Sequence, residues 1–122
     1  MRIGELSTRT GVSRRSLRYY EQQGLLVSAR SPSGQRYYND EHVHRVALIQ
    51  VFFAAGMSSR TIAQMVPCMT EPNKGRAEQA LTVMDQERNR LSFAIDQLVA
   101  ARTELDRLIE VNRNYLMYAA ND

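Results

Sequence analysis

Gly11-Val-Ser-Arg-Arg-Ser-Leu-Arg-Tyr-Tyr-Glu21 decides how the rest of this 122-residue chain is read. Gly11 is a turn residue, and Ser13 is suited to cap a helix by accepting from its free N–H groups. Three arginines and two tyrosines then share one short helix. At about 100° per residue, Arg14, Arg15, Arg18, Tyr19 and Gln22 fall within an arc of about 140°, and Ser16, Leu17 and Tyr20 fall outside it. One face is therefore long and cationic, and the other packs on a small core. Such a helix suits a duplex phosphate track with base edges beside it. A solvated charged face is the plainer alternative, so the flanking sequence has to decide.

Upstream, Ile3-Gly-Glu-Leu-Ser-Thr-Arg-Thr10 predicts a first short helix with Ile3 and Leu6 on its inner side. Two short helices across the Thr10-Gly11-Val12 turn make a helix-turn-helix. Downstream, Gly24 stops the second helix. Leu25-Leu26-Val27 opens an extended segment, Arg30-Ser-Pro-Ser-Gly-Gln35 has turn chemistry, and Arg36-Tyr37-Tyr38 favours a strand. The result is a two-stranded ribbon with Gly34 in its turn. Carrying Arg30, Arg36 and Tyr37 beside a basic helix, it is placed as a wing on the sugar-phosphate backbone. A plain connector is the alternative.

Asn39 caps a third helix, with Asp40 and Glu41 at its positive end. From Val43 to Ala55 its apolar residues point nearly all round, which predicts burial on several sides, by the head and by a further element such as a partner subunit. Ser58 caps a fourth helix with Ile62, Met65 and Val66 inward, closed by Pro67. Ser58, Ser59 and Arg60 at its start are placed to meet phosphate.

Met69-Thr-Glu-Pro-Asn-Lys-Gly75 reads as a linker. Nothing then breaks a helix from Arg76 to Tyr118, which at 1.5 Å per residue is about 65 Å long. Met84, Leu91, Leu98 and Leu105 recur at heptad spacing, and Leu81, Arg88, Ile95, Arg102 and Ile109 form the complementary series. A seam this long needs a second copy. Leu81, Met84, Leu91, Ile95, Leu98, Leu105 and Ile109 are thus the dimerisation candidates. Arg88 and Arg102 favour an antiparallel pairing, where they can reach Glu87, Glu104 or Asp106 of the other copy. The expected architecture is mainly α: a winged helix-turn-helix head (1–68), a linker (69–75), a dimerisation helix in an antiparallel coiled coil (76–118) and a tail (119–122).

The net charge of +3 is unevenly spread. Residues 1–60 carry nine arginines (2, 9, 14, 15, 18, 30, 36, 45, 60) against acids at 5, 21, 40 and 41 only, and residues 61–122 are net acidic. A basic head suits a polyanion. No apolar run spans a membrane and no signal-peptide core opens the chain, so a cytoplasmic protein is expected. Cys68 is a lone thiol. His42 and His44 point about 200° apart on one helix and cannot share an ion. No metal site, cofactor, nucleophile–base pair or phosphate loop is expected, and no enzyme activity.

Arg2-Ile-Gly-Glu-Leu6, Gly11-Val-Ser13, Leu17-Arg-Tyr-Tyr-Glu21, Gly24-Leu-Leu26, Arg36-Tyr-Tyr-Asn-Asp40 and Gly56-Met-Ser58 with Ile62 resemble the mercury-resistance-regulator (MerR) family of bacterial transcription factors. The resemblance covers about residues 2–67. It implies a winged head, an antiparallel coiled-coil homodimer, and binding to a pseudo-palindrome in double-stranded promoter DNA. It also implies distortion of the promoter spacer, which acts on RNA polymerase indirectly. By position it assigns Ser13, Arg14, Arg15, Arg18 and Tyr19 to the recognition helix, Arg36 and Tyr37 to the first wing, and Ser58 to Arg60 to the second. Arg14 and Arg15 are candidates for base edges; Arg18, Tyr19, Arg36, Tyr37 and Arg60 are candidates for phosphates. The cysteines of the family's metal sensors have no counterpart here, and no separate effector domain is expected. A small apolar effector would lodge where Tyr115 to Tyr118 of one subunit meet the Cys68 region of the other; packing of the coiled-coil end is the plainer reading. The alternative function is a protein-interaction module that sequesters a related regulator through its coiled coil.

Overall fold

The computed structural model describes residues 1–120. Helices α1 (Ile3–Thr10) and α2 (Arg14–Gln22) flank the Gly11 turn. Ser7 Oγ donates to the Val12 carbonyl at 2.7 Å across that turn. Ser13 caps α2, its Oγ accepting from the Ser16 N–H at 3.1 Å. The inner faces are as the spacing requires: Leu6 and Leu17 are fully buried, and the Tyr20 ring stacks on Phe53 at 5.7 Å.

Gly24 ends α2 with φ 74. There the Leu25 N–H bonds to the Tyr20 carbonyl at 2.8 Å and the Gly24 N–H to that of Glu21 at 3.1 Å. This is a Schellman closure, which favours glycine because a Cβ strains the left-handed backbone. It turns Leu25 and Leu26 into the core, at 1% and 2% exposure, at the start of the non-helical segment that leads to the ribbon. The ribbon is therefore short: β1 (Ala29–Arg30) pairs antiparallel with β2 (Arg36–Tyr37), Ala29 opposite Tyr37 and Arg30 opposite Arg36. Gly34 sits in its turn. The Tyr38 N–H donates to the Met1 carbonyl at 2.7 Å, tying the end of the ribbon to the start of the chain.

Helix α3 (Asp40–Ala54) is capped by Asn39, whose Oδ1 accepts from the Glu41 N–H at 3.0 Å. His42 is buried in its first turn. The His42 Nδ1 accepts from the Asn39 N–H at 3.0 Å, and its Nε2 lies 2.8 Å from the Val27 carbonyl. The ring thereby pins the approach to the wing onto α3. Val46, Ile49 and Phe52 are buried, whereas Leu48 and Val51 stay exposed in the single chain.

Helix α4 (Ser59–Thr70) is capped by Ser58, which accepts from the Thr61 N–H at 3.2 Å. It does not close at Pro67, as the sequence suggested, but runs one turn further. A helix-interior proline costs about 3 kcal/mol. Here it is offset by the packing of Cys68 and Met69 against the core and by the Glu71 N–H bond to the Pro67 carbonyl at 3.0 Å. Of the expected 69–75 linker only residues 71–73 lie outside helices, because Asn73 caps the next helix, accepting from the Arg76 N–H at 2.8 Å. Helix α5 (Lys74–Ala120) is thus longer at both ends than the expected 76–118. Of the expected tail, residues 121 and 122 lie outside the described residues.

Met1–Val83 forms one compact unit, and α5 from Met84 onward forms another. The first turns of α5 belong to the head, with Ala80 6% exposed in its core. In the second unit Met84, Leu91, Ile95, Leu98, Leu105 and Ile109 are all exposed on the single chain, as is Leu81 before them. Among the described residues no helix is long and apolar enough to cross a membrane.

Candidate nucleic-acid interface

Helix α2 supplies the centre of the candidate surface. Burial of Leu17 and Tyr20 fixes its rotation, so Arg14, Arg15, Arg18 and Tyr19 are exposed together. The Arg14 guanidinium lies back along α1: a Cβ added at Gly4 would come 2.6 Å from its Nη2. The Ser13 hydroxyl is engaged in capping, which places it at the tip of the helix as a structural group.

The start of α4 joins this face through one hydrogen bond, Tyr19 Oη to Ser59 Oγ at 2.7 Å. That contact brings Ser58, Ser59 and Arg60 beside α2. The wing joins it from the other side. Arg36 Nη1 donates to Glu21 Oε2 at 3.1 Å, and the Tyr38 hydroxyl donates to Glu21 Oε1. Burial first, then the hydrogen bond to Glu21 and its negative charge, push the Tyr38 phenol up to about 12, so it remains a donor. Burial also raises Tyr20. Arg30 Nη1 braces the wing turn by donating to the Gly34 carbonyl at 3.0 Å. Tyr37 is exposed on the same ribbon.

Two open notches flank the junction of α2 and the wing. One, of about 350 Å³, is lined by Arg18, Glu21, Arg30 and Arg36 among others. The second, of about 300 Å³, is lined by Arg2, Arg18, Gln35 and Arg36 with Ile3 and Tyr38. Arg2 also donates to the Gln35 side chain. Sequence reasoning left Arg2, Gln35 and Glu21 out of the site. Only the charge of Arg2 hinted at its place; the pairing of Glu21 with Arg36 spans fifteen residues and has no local signature.

Charge pairing sorts the arginines of residues 1–60. Arg9 pairs with Glu5 and Asp40, Arg45 with Glu41, and Arg36 with Glu21. Among the described residues Arg2, Arg14, Arg15, Arg18, Arg30 and Arg60 have no carboxylate partner, and they lie on or beside α2, the wing and the start of α4. Unneutralised guanidiniums gathered on one face attract a polyanion. Among the described residues no three His, Cys, Asp or Glu side chains converge as metal ligands would.

The fold and this surface define a winged helix-turn-helix protein. The profile described as MerR HTH family regulatory protein matches residues 1–67. The chain is 32% identical over 107 residues to the HTH-type transcriptional activator SoxR homolog of Chromobacterium violaceum, covering 88% of this chain and 72% of that protein. Among solved structures it is similar to the transcription regulator PbrR691 from Ralstonia metallidurans CH34 in complex with lead(II), with TM-score 0.73 and 30% identity over 86% of this chain and 81% of that one. HiNmlR, a MerR family regulator lacking the sensor domain and bound to promoter DNA, shares the fold at TM-score 0.61 and 23% identity, covering 88% of this chain and 85% of that one.

The chain belongs to the MerR family of helix-turn-helix regulatory proteins. It is a DNA-binding transcriptional regulator and not an enzyme.

Proposed function

We propose that two copies of this chain bind one pseudo-palindromic promoter element. Each lays α2 in the major groove, with Arg14 and Arg15 at base edges. Arg18, Tyr19, Arg36, Tyr37, Ser58 and Arg60 meet the phosphates on either side. The observation that carries this reading is the set of six arginines, on or beside α2, the wing and the start of α4, that have no carboxylate partner among the described residues. Phosphate contacts of that kind fix register, and base contacts specify sequence. The promoter DNA held by HiNmlR in its structure is in keeping with this reading.

Pairing runs through the exposed α5 seam from Leu81 to Ile109 in an antiparallel coiled coil. Distortion of the promoter spacer then acts on RNA polymerase through the DNA. A small apolar effector, if the protein responds to one, has its place at the exposed Tyr115 to Tyr118 end of that coil.

Fluorescence anisotropy of the purified chain on a duplex spanning its own promoter region tests the proposal. Salt-sensitive binding by a dimer is expected. A stable homodimer that ignores this duplex at moderate salt, and instead captures a related regulator through its coiled coil, would favour the sequestering reading.

A further inference from the structure

Glu21 is the acid inside this field of arginines, and the DNA-binding reading of the chain makes no use of it. The other acids in residues 1–60 are paired with Arg9 and Arg45. A carboxylate lining the notch with Arg18, Arg30 and Arg36 opposes the approach of phosphate. Its place there calls for a physical reason.

The geometry supplies one. The Glu21 side chain is 12% exposed and that of Arg36 is 54% exposed, so the carboxylate is the inner partner and the guanidinium the outer one. From beneath, Glu21 accepts the hydroxyl of Tyr38, a residue only 2% exposed. The carboxylate is thereby fixed between a buried phenol and the wing arginine. A guanidinium has five N–H donors in a rigid fork, so those not directed at Glu21 stay available to a phosphate.

The geometry points to Glu21 as a positioning residue that sets Arg36 and the wing at one angle to α2, favouring discrimination between duplexes over strength of binding to any duplex. The inference rests on the DNA-binding reading of the same surface. Two opposed effects follow from it. Removing the charge relieves repulsion of every duplex, and releasing Arg36 lets the wing settle on phosphates in more than one register.

The test uses the full chain, one duplex selected by the wild-type chain from a random pool, and a scrambled duplex of equal length. Dissociation constants are measured for wild type, Glu21→Gln, Arg36→Ala and the double variant, with melting temperatures alongside. Glu21→Gln keeps an acceptor for Tyr38 and is expected to bind the scrambled duplex about threefold more tightly, since one phosphate-repelling charge is gone. Its preference for the selected duplex is expected to fall about tenfold, the scale of one lost base-pair discrimination. Arg36→Ala should lose a similar preference, and the double variant no more than Arg36→Ala, because the two residues act as one unit.

A variant whose fold is merely loosened would weaken both duplexes alike. Glu21→Asp keeps the charge but withdraws the carboxylate by one methylene; its preference should fall with no gain on the scrambled duplex. Unchanged preference in Glu21→Gln or Glu21→Asp, or losses that multiply in the double variant, overturn the role of Glu21. A wild-type chain with no preference between the duplexes overturns the DNA-binding reading and this role with it.

Discussion

Replacing Arg18 with alanine separates the two kinds of arginine in the head. Arg18 is exposed on α2, lines both notches beside the wing, and has no carboxylate partner among the described residues. If it neutralises one phosphate, its loss lowers the slope of log K against log salt by about 0.9. Between 50 and 200 mM salt that change is worth about 3.5-fold, so the deficit of Arg18→Ala relative to wild type should narrow by about that factor across the range. The loss should be similar on any duplex, since phosphates position without specifying. Arg9→Ala is the matched control, because Arg9 already serves Glu5 and Asp40 at 3.4 and 3.0 Å. Its slope should equal that of wild type. Anisotropy titrations at four or more salt concentrations give both slopes. Equal slopes for Arg18→Ala and wild type, or a reduced slope for Arg9→Ala, would refute the sorting of the arginines by partner.

Three further outcomes follow from other contacts. Ser13→Ala removes the acceptor for the Ser16 N–H and should destabilise the head by about 1 kcal/mol, read as a lower melting temperature. An unchanged melting temperature would show the cap to be dispensable. The Tyr38 phenol is raised in the fold from 10.0 to about 12, so the neutral form is the one the fold favours. Its contribution is intact below pH 10 and is lost as pH rises from 10 toward 12. A tyrosinate absorbance titration should show late-ionising phenols, Tyr38 and Tyr20, and Tyr38→Phe should remove part of that late absorbance; ionisation of all six tyrosines together would contradict this. In an antiparallel α5 pair the two copies of residue 84 lie apart, so Met84→Cys in a Cys68→Ser background should give no 84–84 disulfide in soluble dimers. Efficient formation of that disulfide would indicate a parallel pair.

Much of the head was legible because its signals are local. Ser13, Asn39 and Ser58 each precede an unbroken helix-forming run, and each accepts from the backbone of the helix it opens. Gly34 in its Ser-Gly turn marked the ribbon, and the wheel of α2 foretold that Leu17 and Tyr20 would be buried with the arginines outside. What the sequence hid depends on packing or on distance along the chain. Pro67 reads as a stop, but Cys68 and Met69 beyond it have core to pack against. Lys74 and Gly75 read as linker until Asn73 is seen capping the helix they begin. Leu25 and Leu26 read only as the start of an extended segment, and their burial was hidden because the Schellman closure that turns them inward leaves only a glycine as its local sign. In the site, the α2 arginines were visible in one stretch, but the Glu21 link to Arg36 and the Arg2 link to Gln35 join residues far apart in sequence.

Selection of bound duplexes from a random pool, run in parallel with wild type, Arg14→Ala and Arg15→Ala, bears most directly on the claim that α2 reads DNA as one of a symmetric pair. Wild type should enrich a single inverted repeat with fixed half-site spacing, and each alanine variant should relax one symmetric pair of positions while keeping that spacing. Enrichment of no common sequence, or of a lone half-site unaffected by either substitution, would contradict it.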